Sequence, residues 1–354
     1  MQGSDGSWRS DRHPYFRAGH ALTPFVLHAL LAAPEELVPR PDGAVERALG
    51  FIRGTVGSTG AVGLDGVAVM EYPNYSTALA LRCLIAAADP DDRERVERMT
   101  RRLASEQCRG DIGFGPDDPV HGAWGFGGPR PVGSPGHIDL SYTRHVLEAL
   151  RDAGLVEADA LLRARAERFL RYLQKHPDDP RPQLPDLVPE QRRRAPFPFD
   201  GGFYFSPIVQ LSKAGIATEP DSGIRSVRSY ATATCEGILA LLALGVPLDD
   251  ARLVAARRWL EKHPRIDRVE GIPADDPNGW SGALLFYHLA DRARVFDALH
   301  WPGPWRRQVR ARLAALERPD GSFSNRENIL MKEDEPLLAT TLAVIALCHA
   351  RAGP

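Results

Sequence analysis

The chain opens with "QGSDGSW" at Gln2 to Trp8, and nearly the same phrase, "ERPDGSF", stands at Glu317 to Phe323, close to the other end. A phrase that recurs is either a coincidence or one unit of a repeat, and a repeat sets the fold through its period. The segments between the two phrases favour the repeat. Apolar runs align on a Thr followed seven residues later by Leu: "TPFVLHAL" from Thr23, "TALALRCL" from Thr77, "TRHVLEAL" from Thr143, "TCEGILAL" from Thr234 and "TTLAVIAL" from Thr340. A sixth, "GALLFYHL", begins at Gly282 with Gly in place of Thr. Most are apolar almost all round, which predicts buried helices.

Helices of a second kind alternate with these. The segments 43–54, 91–107, 157–176, 249–264 and 304–321 each carry one apolar stripe and one charged face, and several begin with Asp or Glu, which suits a helix N-terminus. A sixth such helix would lie at 207–217. The phrases "DGSW" (5–8), "GDIGF" (110–114), "DGGF" (200–203) and "DGSF" (320–323) each precede an inner helix, with degenerate copies near 64–66 and 269–271. Glycine permits the tight turn and the aromatic wedges between helix pairs. An open solenoid would want polar caps at both ends. The same turn phrase at both ends instead predicts a closed ring: an all-α, (α/α)6 toroid of six inner and about six outer helices, forming a single domain over residues 1–354.

Composition narrows the function. The 354 residues are 43% hydrophobic and 25% charged, with a formal net charge of −2, so the basic excess of a nucleic-acid-binding domain is missing. No apolar run reaches the roughly 20 residues of a membrane span, and the N-terminus reads as polar rather than as a secretory signal. The four cysteines, Cys83, Cys108, Cys235 and Cys348, are far apart without a CxxC, which predicts reduced thiols and a cytoplasmic protein.

With its terminal phrases and alternating helices, the sequence resembles the terpenoid cyclase and protein prenyltransferase superfamily, which includes squalene–hopene cyclase and the prenyltransferase β subunits; the phrases are similar to that group's QW repeat. The resemblance implies a toroid enclosing an apolar cavity at one end of the inner helices, isoprenoid substrates, and chemistry from residues at the helix starts. Two departures matter. The prenyltransferase zinc ligands, an Asp-x-Cys pair and a distant His, fall on Asn278, Trp280 and Ala339, so no zinc is expected. The DxDDTA acid motif of class II cyclases falls on "DLSYTR", where Asp139 and Thr143 agree but Ser141 and Tyr142 replace the two later acids. The literal "DPDD" at 89–92 begins an outer helix and reads as its cap.

The inner-helix starts share one rim, and the residues there are the candidate site. Asp139, Glu333, Asp334 and Glu335 are the candidate acids. Adjacent carboxylates such as those of "KEDEP" (332–336) raise one another's pKa, although an acidic first turn would read the same way. Tyr72, Tyr75, His137, Tyr142, Arg228, Tyr230, Cys235, Glu236 and Trp280 are the candidate substrate contacts. Aromatic faces on such a wall suit a carbocation, and simple packing is the alternative for each tyrosine. Cys235 beside Glu236 is a nucleophile or metal ligand in one reading and a small core residue in the other. His20, His137 and His145 would form a metal cluster only if the ring brought them together. The Gly/Pro-rich segment 108–138, with Phe114, Trp124 and Phe126, reads as a lid-like loop. The Pro-rich insertion 176–199, with Arg192, Arg193 and Arg194, reads as a linker or an anion-attracting patch.

The expected function is an isoprenoid-processing enzyme, terpene cyclase-like, with acid-initiated carbocation chemistry. A prenyltransferase-like protein lacking zinc and a non-catalytic lipid- or peptide-binding toroid are the alternatives, and a polysaccharide-cleaving toroid would want a more polar groove. No cofactor is expected, magnesium entering only with a diphosphate substrate. The expected partner is an isoprenoid or other apolar small molecule, with no nucleic acid and no transmembrane segment. Peripheral membrane contact and a second subunit are left open.

Overall fold

A computed structural model describes residues 1–36, 38–181, 199–208, 212–218 and 225–351. The described residues are all-α apart from one two-stranded antiparallel ribbon, β1 (Ile216–Thr218) with β2 (Arg225–Val227). Among the described residues eleven principal helices alternate between an inner and an outer layer. The inner ones are α1 (Leu22–Ala32), α3 (Pro73–Ala87), α5 (Leu140–Asp152), α7 (Ala231–Ala243), α9 (Leu285–Ala298) and α11 (Pro336–His349). The outer ones are α2 (Ala44–Thr55), α4 (Arg93–Ser105), α6 (Ala160–Leu173), α8 (Ala251–Lys262) and α10 (Trp305–Leu316). Each inner helix packs on its neighbours in chain order, and α11 packs back on α1, which closes the ring into an α/α toroid.

Sequence composition explains the layers. Twelve of the 13 residues of α7 are buried, whereas α4, with its Arg-rich outer face, buries only Met99 and Leu103 of its 13. The outer helices start where polar caps allow: Asp159 accepts the N–H groups of Leu161 and Leu162, and Asp250 that of Arg252. Asp89 caps the short turn ahead of α4, so "DPDD" is structural. No outer helix forms in the described part of 207–217, where the chain turns and enters β1. The described outer helices therefore number five.

The threonine register has a physical cause. In each unit one hydroxyl near the start of the inner helix accepts the backbone N–H at the last position of the turn phrase. Trp8 donates to Thr23 at 2.9 Å, Val62 to Thr77 at 2.8 Å, Trp124 to Thr143 at 3.1 Å, Phe203 to Thr234 at 3.1 Å and Phe323 to Thr340 at 3.0 Å. In the remaining unit Val269 donates to Ser281 Oγ at 3.1 Å. Ser281, not Gly282, thus keeps the register there. The inner helix is interrupted at that point, a short turn Trp280–Ala283 preceding α9.

These bonds also correct the placing of two phrases and keep a third. The third unit uses "HGAW" (121–124) rather than "GDIGF", the second uses "TGAV" (59–62) rather than 64–66, and the degenerate copy at 269–271 enters through Val269. Three glutamines complete the unit. Gln2 donates to the carbonyls of Gly6 (2.9 Å) and Ala44 (2.8 Å), Gln107 to those of Gly122 (3.2 Å) and Leu162 (3.0 Å), and Gln174 to those of Gly201 (3.0 Å) and Arg252 (2.9 Å). Each stitches the turn to the first residues of an outer helix. Both long irregular segments are therefore insertions inside a unit, one starting between Gln107 and Gly122, the other lying between Gln174 and Gly201. Most of the second, including Arg192, Arg193 and Arg194, lies outside the described residues. Glycine is required where the turn meets the outer helix: a Cβ on Gly122, whose φ is +92°, would stand 1.9 Å from the Arg165 carbonyl oxygen.

Candidate active site

The starts of all six inner units open onto one cavity of about 350 Å³, a volume within the range of small-molecule sites. Leu22 and Phe25 reach it from α1, Tyr72 and Tyr75 from the start of α3, and Asp139 to Tyr142 from the start of α5. Tyr230 and Glu236 come from α7, Trp280 and Tyr287 from the broken inner unit, and Leu338 and Leu342 from α11.

Of the candidate residues, Tyr72, Tyr75, His137, Asp139, Tyr142, Tyr230, Glu236, Trp280 and Glu333 all line this cavity. Tyr72, Tyr75 and Tyr142 form part of a connected aromatic wall, joined through Phe126. The ring of Tyr75 lies 6.2 Å from that of Tyr142, edge-on, and Tyr72 lies 5.1 Å from Tyr15 and 5.5 Å from Phe126. Burial raises the phenols of Tyr72, Tyr75, Tyr142 and Tyr230, so they stay neutral.

Four candidates stand outside the cavity. Arg228 donates to the Ala214 carbonyl beside the ribbon, at 3.3 Å. Cys235 is a fully buried core residue of α7 whose thiol burial pushes up to about 12. Asp334 pairs with His13 Nε2 at 2.8 Å and with Arg12 at 3.5 Å. Glu335 caps α11 by accepting the Leu337 N–H at 3.1 Å, and it also meets the Ser10 hydroxyl. The three "KEDEP" carboxylates therefore diverge instead of repelling one another.

Glu333 alone faces inward. Burial raises it to about 7, against the pull of the N–H groups of Phe286 and Tyr287, which its oxygens accept at 2.9 and 2.8 Å. The histidines do not cluster. His137 meets Asp139, His145 packs against Tyr75 with ring centres 3.9 Å apart and the rings tilted by 49°, and His20 lies near Phe51. Among the described residues no group of three or more His, Cys, Asp or Glu side chains is arranged to hold a metal ion.

Asp139 is the N-cap of α5. One oxygen accepts the Tyr142 N–H at 2.9 Å, and the other lies 3.0 Å from His137 Nε2. His137 belongs to the segment 125–138, which runs back along the cavity edge and is pinned by a bridge between Gly125 and Ile138.

A charged floor, of which the sequence analysis named only Glu236, centres on Arg144 of α5. The Arg144 guanidinium, fully buried, meets Glu236 (3.0 and 3.2 Å), Asp291 (3.2 Å) and Glu148 (3.4 Å). The Tyr287 hydroxyl donates to Glu236 and lies 2.6 Å from Ser141 Oγ. Burial alone would raise Glu236, but Arg144 overrides it and holds the carboxyl below the usual range. In Asp291 burial prevails over Arg144, helped by the charge of Glu236, and its pKa lies well above the ordinary value. Such a network would cost stability if one member were removed, because an uncompensated charge would be left buried. The only advance signal was spacing: Arg144 and Glu148 lie four apart on α5, and Tyr287 and Asp291 lie four apart on α9. Lys213 and Lys332 also line the cavity and were missed.

No protein-family model matches the sequence, and no curated protein matches it. Solved structures do. A variant of the type II terpene cyclase MstE from Scytonema, in complex with its substrate geranylgeranyl dihydroxybenzoate, superposes with a TM-score of 0.52 at 14% identity, covering 99% of this chain and 92% of that one. A second MstE variant, without ligand, gives 0.53 at 14% identity over 99% and 92% of the two chains. Unliganded MstE gives 0.52 at 14% over 98% and 93%. At this identity the shared property is the fold, a toroid of the terpene-cyclase kind.

Proposed function

We propose that this chain is a terpene cyclase-like enzyme that folds an isoprenoid chain inside the cavity and starts its cyclisation with a proton from Asp139. The single observation that carries the reading is the placement of Asp139: a buried carboxyl at the edge of an aromatic-walled cavity, backed by His137 at 3.0 Å. The likeness to MstE, whose substrate carries a geranylgeranyl chain, supports the substrate class.

In this reading the Asp139 O–H bond breaks as its proton adds to a terminal alkene carbon of the substrate, or to an epoxide oxygen whose C–O bond then opens, leaving a cationic carbon. The Tyr142 N–H and His137 hold the carboxylate that remains. A neighbouring alkene attacks the cation, forming a carbon–carbon bond and passing the charge along the chain. The faces of Tyr72, Tyr75, Tyr142 and Tyr230 stabilise the moving charge by about 0.5–2 kcal/mol each. Glu236, kept ionised by Arg144, takes the proton lost at the end, so the net change is an isomerisation. The two acids missing from the class II motif leave Asp139 as the one acid of "DLSYTR". No metal enters these steps, magnesium being needed only if the substrate carries a diphosphate. The separated, unpaired cysteines support a cytoplasmic setting, and segment 108–138, which reaches the cavity at His137, serves as the cover of the bound chain.

The test uses Asp139→Asn. Asn caps helices about as well as Asp, so this change removes the acid and keeps the start of α5. Turnover of C15 to C30 isoprenoids, followed by gas chromatography–mass spectrometry with and without chelator, should vanish in the variant while the melting temperature holds. Turnover at the wild-type rate in the variant, or no isoprenoid bound or converted by the wild type, would overturn the reading.

A further inference from the structure

Lys213 lies in the irregular segment ahead of β1 and is 6% exposed. It lines the cavity, its Nζ 3.1 Å from the centre of the Phe205 ring and 5.1 Å from that of Trp280. Among the described residues its ammonium group has neither a hydrogen-bond acceptor nor an ion-pair partner. A second buried lysine shows what a settled one looks like in this fold. Lys175, 4% exposed, donates to the Val227 carbonyl at 3.0 Å and pairs with Asp200 at 3.3 Å.

The two cavity carboxylates that act on Lys213 from a distance are committed elsewhere: Asp139 to His137 and the Tyr142 N–H, Glu236 to Arg144 and Tyr287. Burial pulls Lys213 down to about 8. Ring faces offset part of the cost of burying an ammonium, but they accept no hydrogen bond of the strength a carboxylate gives. The missing partner must come with whatever fills the cavity.

We propose that the cavity's ligand is an amphiphile whose single carboxylate head pairs with Lys213 Nζ, its hydrocarbon lying against Phe25, Tyr230, Leu284 and Leu342. The proposal rests on the cavity being the ligand site, as read above, and adds the head group. One free ammonium neutralises one charge. The other cavity lysine, Lys332, is only half-buried, so solvent reaches it, and it lies in the field of Asp334. A phosphate or diphosphate would leave charge uncompensated in a buried site, where that is costly.

The test is isothermal titration of the full chain with two matched pairs, farnesoic acid against farnesol and dodecanoic acid against dodecanol, and with farnesyl phosphate. The wild type should bind each acid about tenfold or more tightly than its alcohol, the range of a charge-assisted hydrogen bond. Lys213→Met should bring the ratio to about one, and Lys213→Arg should retain most of it. Should the Met variant misfold, Lys213→Gln serves the same purpose. Equal binding of acid and alcohol by the wild type, a ratio unchanged in the Met or Gln variant, or farnesyl phosphate binding more tightly than farnesoic acid would each overturn the proposal. The isoprenoid reading is tested separately. Farnesol bound as well as farnesoic acid removes the Lys213 anchor and leaves that reading standing. A Lys213-dependent preference for dodecanoic acid without farnesyl binding keeps the anchor and removes the isoprenoid.

Discussion

Glu333 sets burial against hydrogen bonding in one side chain, and a pH series decides which prevails. Its oxygens accept two backbone N–H groups at the start of α9, at 2.8 and 2.9 Å, and these favour the ionised form. Burial nevertheless raises the carboxyl from 4.5 to about 7. Between these values the folded protein holds a proton that the unfolded chain has released. Stability must therefore fall as pH rises: the contribution is fully present below 4.5 and lost as pH passes about 7. The difference in proton affinity corresponds to about 3 kcal/mol. Glu333→Gln removes the titration at nearly constant volume. Its amide keeps one acceptor but turns an NH₂ toward the second backbone N–H, so the variant should be the less stable protein at pH 4.5. The lead of the wild type should then shrink by about 3 kcal/mol by pH 8. Urea unfolding of both proteins at matched pH values measures that lead, and the titration of every other group cancels in the difference. A lead that is flat, or that grows with pH, would show that the N–H donors win and that Glu333 ionises as an ordinary helix cap.

Two further predictions concern the repeat unit. Gly122→Ala and Gly321→Ala place a Cβ at similar positive φ, +92° and +77°, but the first meets the Arg165 carbonyl oxygen at 1.9 Å while nothing lies nearer than 4.0 Å to the second. The Gly321 variant should lose about 1 kcal/mol, from backbone strain alone, and the Gly122 variant several times that; equal losses would refute the close packing of turn on outer helix. Thr143→Val leaves the buried Trp124 N–H without its acceptor and should cost about 1–3 kcal/mol. Hydrogen exchange at the Trp124 amide should quicken by the corresponding factor, and unchanged exchange would mean that the threonine register is not held by this bond.

The toroid was legible in the sequence because it is built from a local rule repeated. One hydroxyl near the start of each inner helix holds one turn, and a hydroxyl at a fixed place in an apolar run leaves a mark that alignment detects. Thr23, Thr77, Thr143, Thr234 and Thr340 carried that mark. The rim tyrosines, Asp139, Glu236 and Trp280 followed from it, since helices in register begin on the same face. The rule failed where local chemistry was ambiguous. "GDIGF" and "HGAW" are both Gly-containing turns that end in an aromatic, and only the tertiary structure shows which one reaches Thr143, because an insertion after Gln107 moved the working copy downstream. Ser281 was hidden by a break in the helix at Leu284, which no periodicity predicts. The direction of a carboxylate was equally invisible: Glu333, Asp334 and Glu335 are consecutive, yet one faces the cavity, one an N-terminal histidine and one its own helix. Lys213, Tyr287 and Arg144 had no signal of their own as site residues. A lone lysine in an irregular segment becomes a cavity group only when the ring closes around it, and an arginine on an inner helix becomes the centre of a charged floor only when α7 and α9 bring Glu236 and Asp291 to it. The sequence by itself determined the layers and the register, through periodicity and hydroxyl placement. The walls and charges of the site were decided by packing between segments far apart in the chain, which leaves no pattern in either one alone.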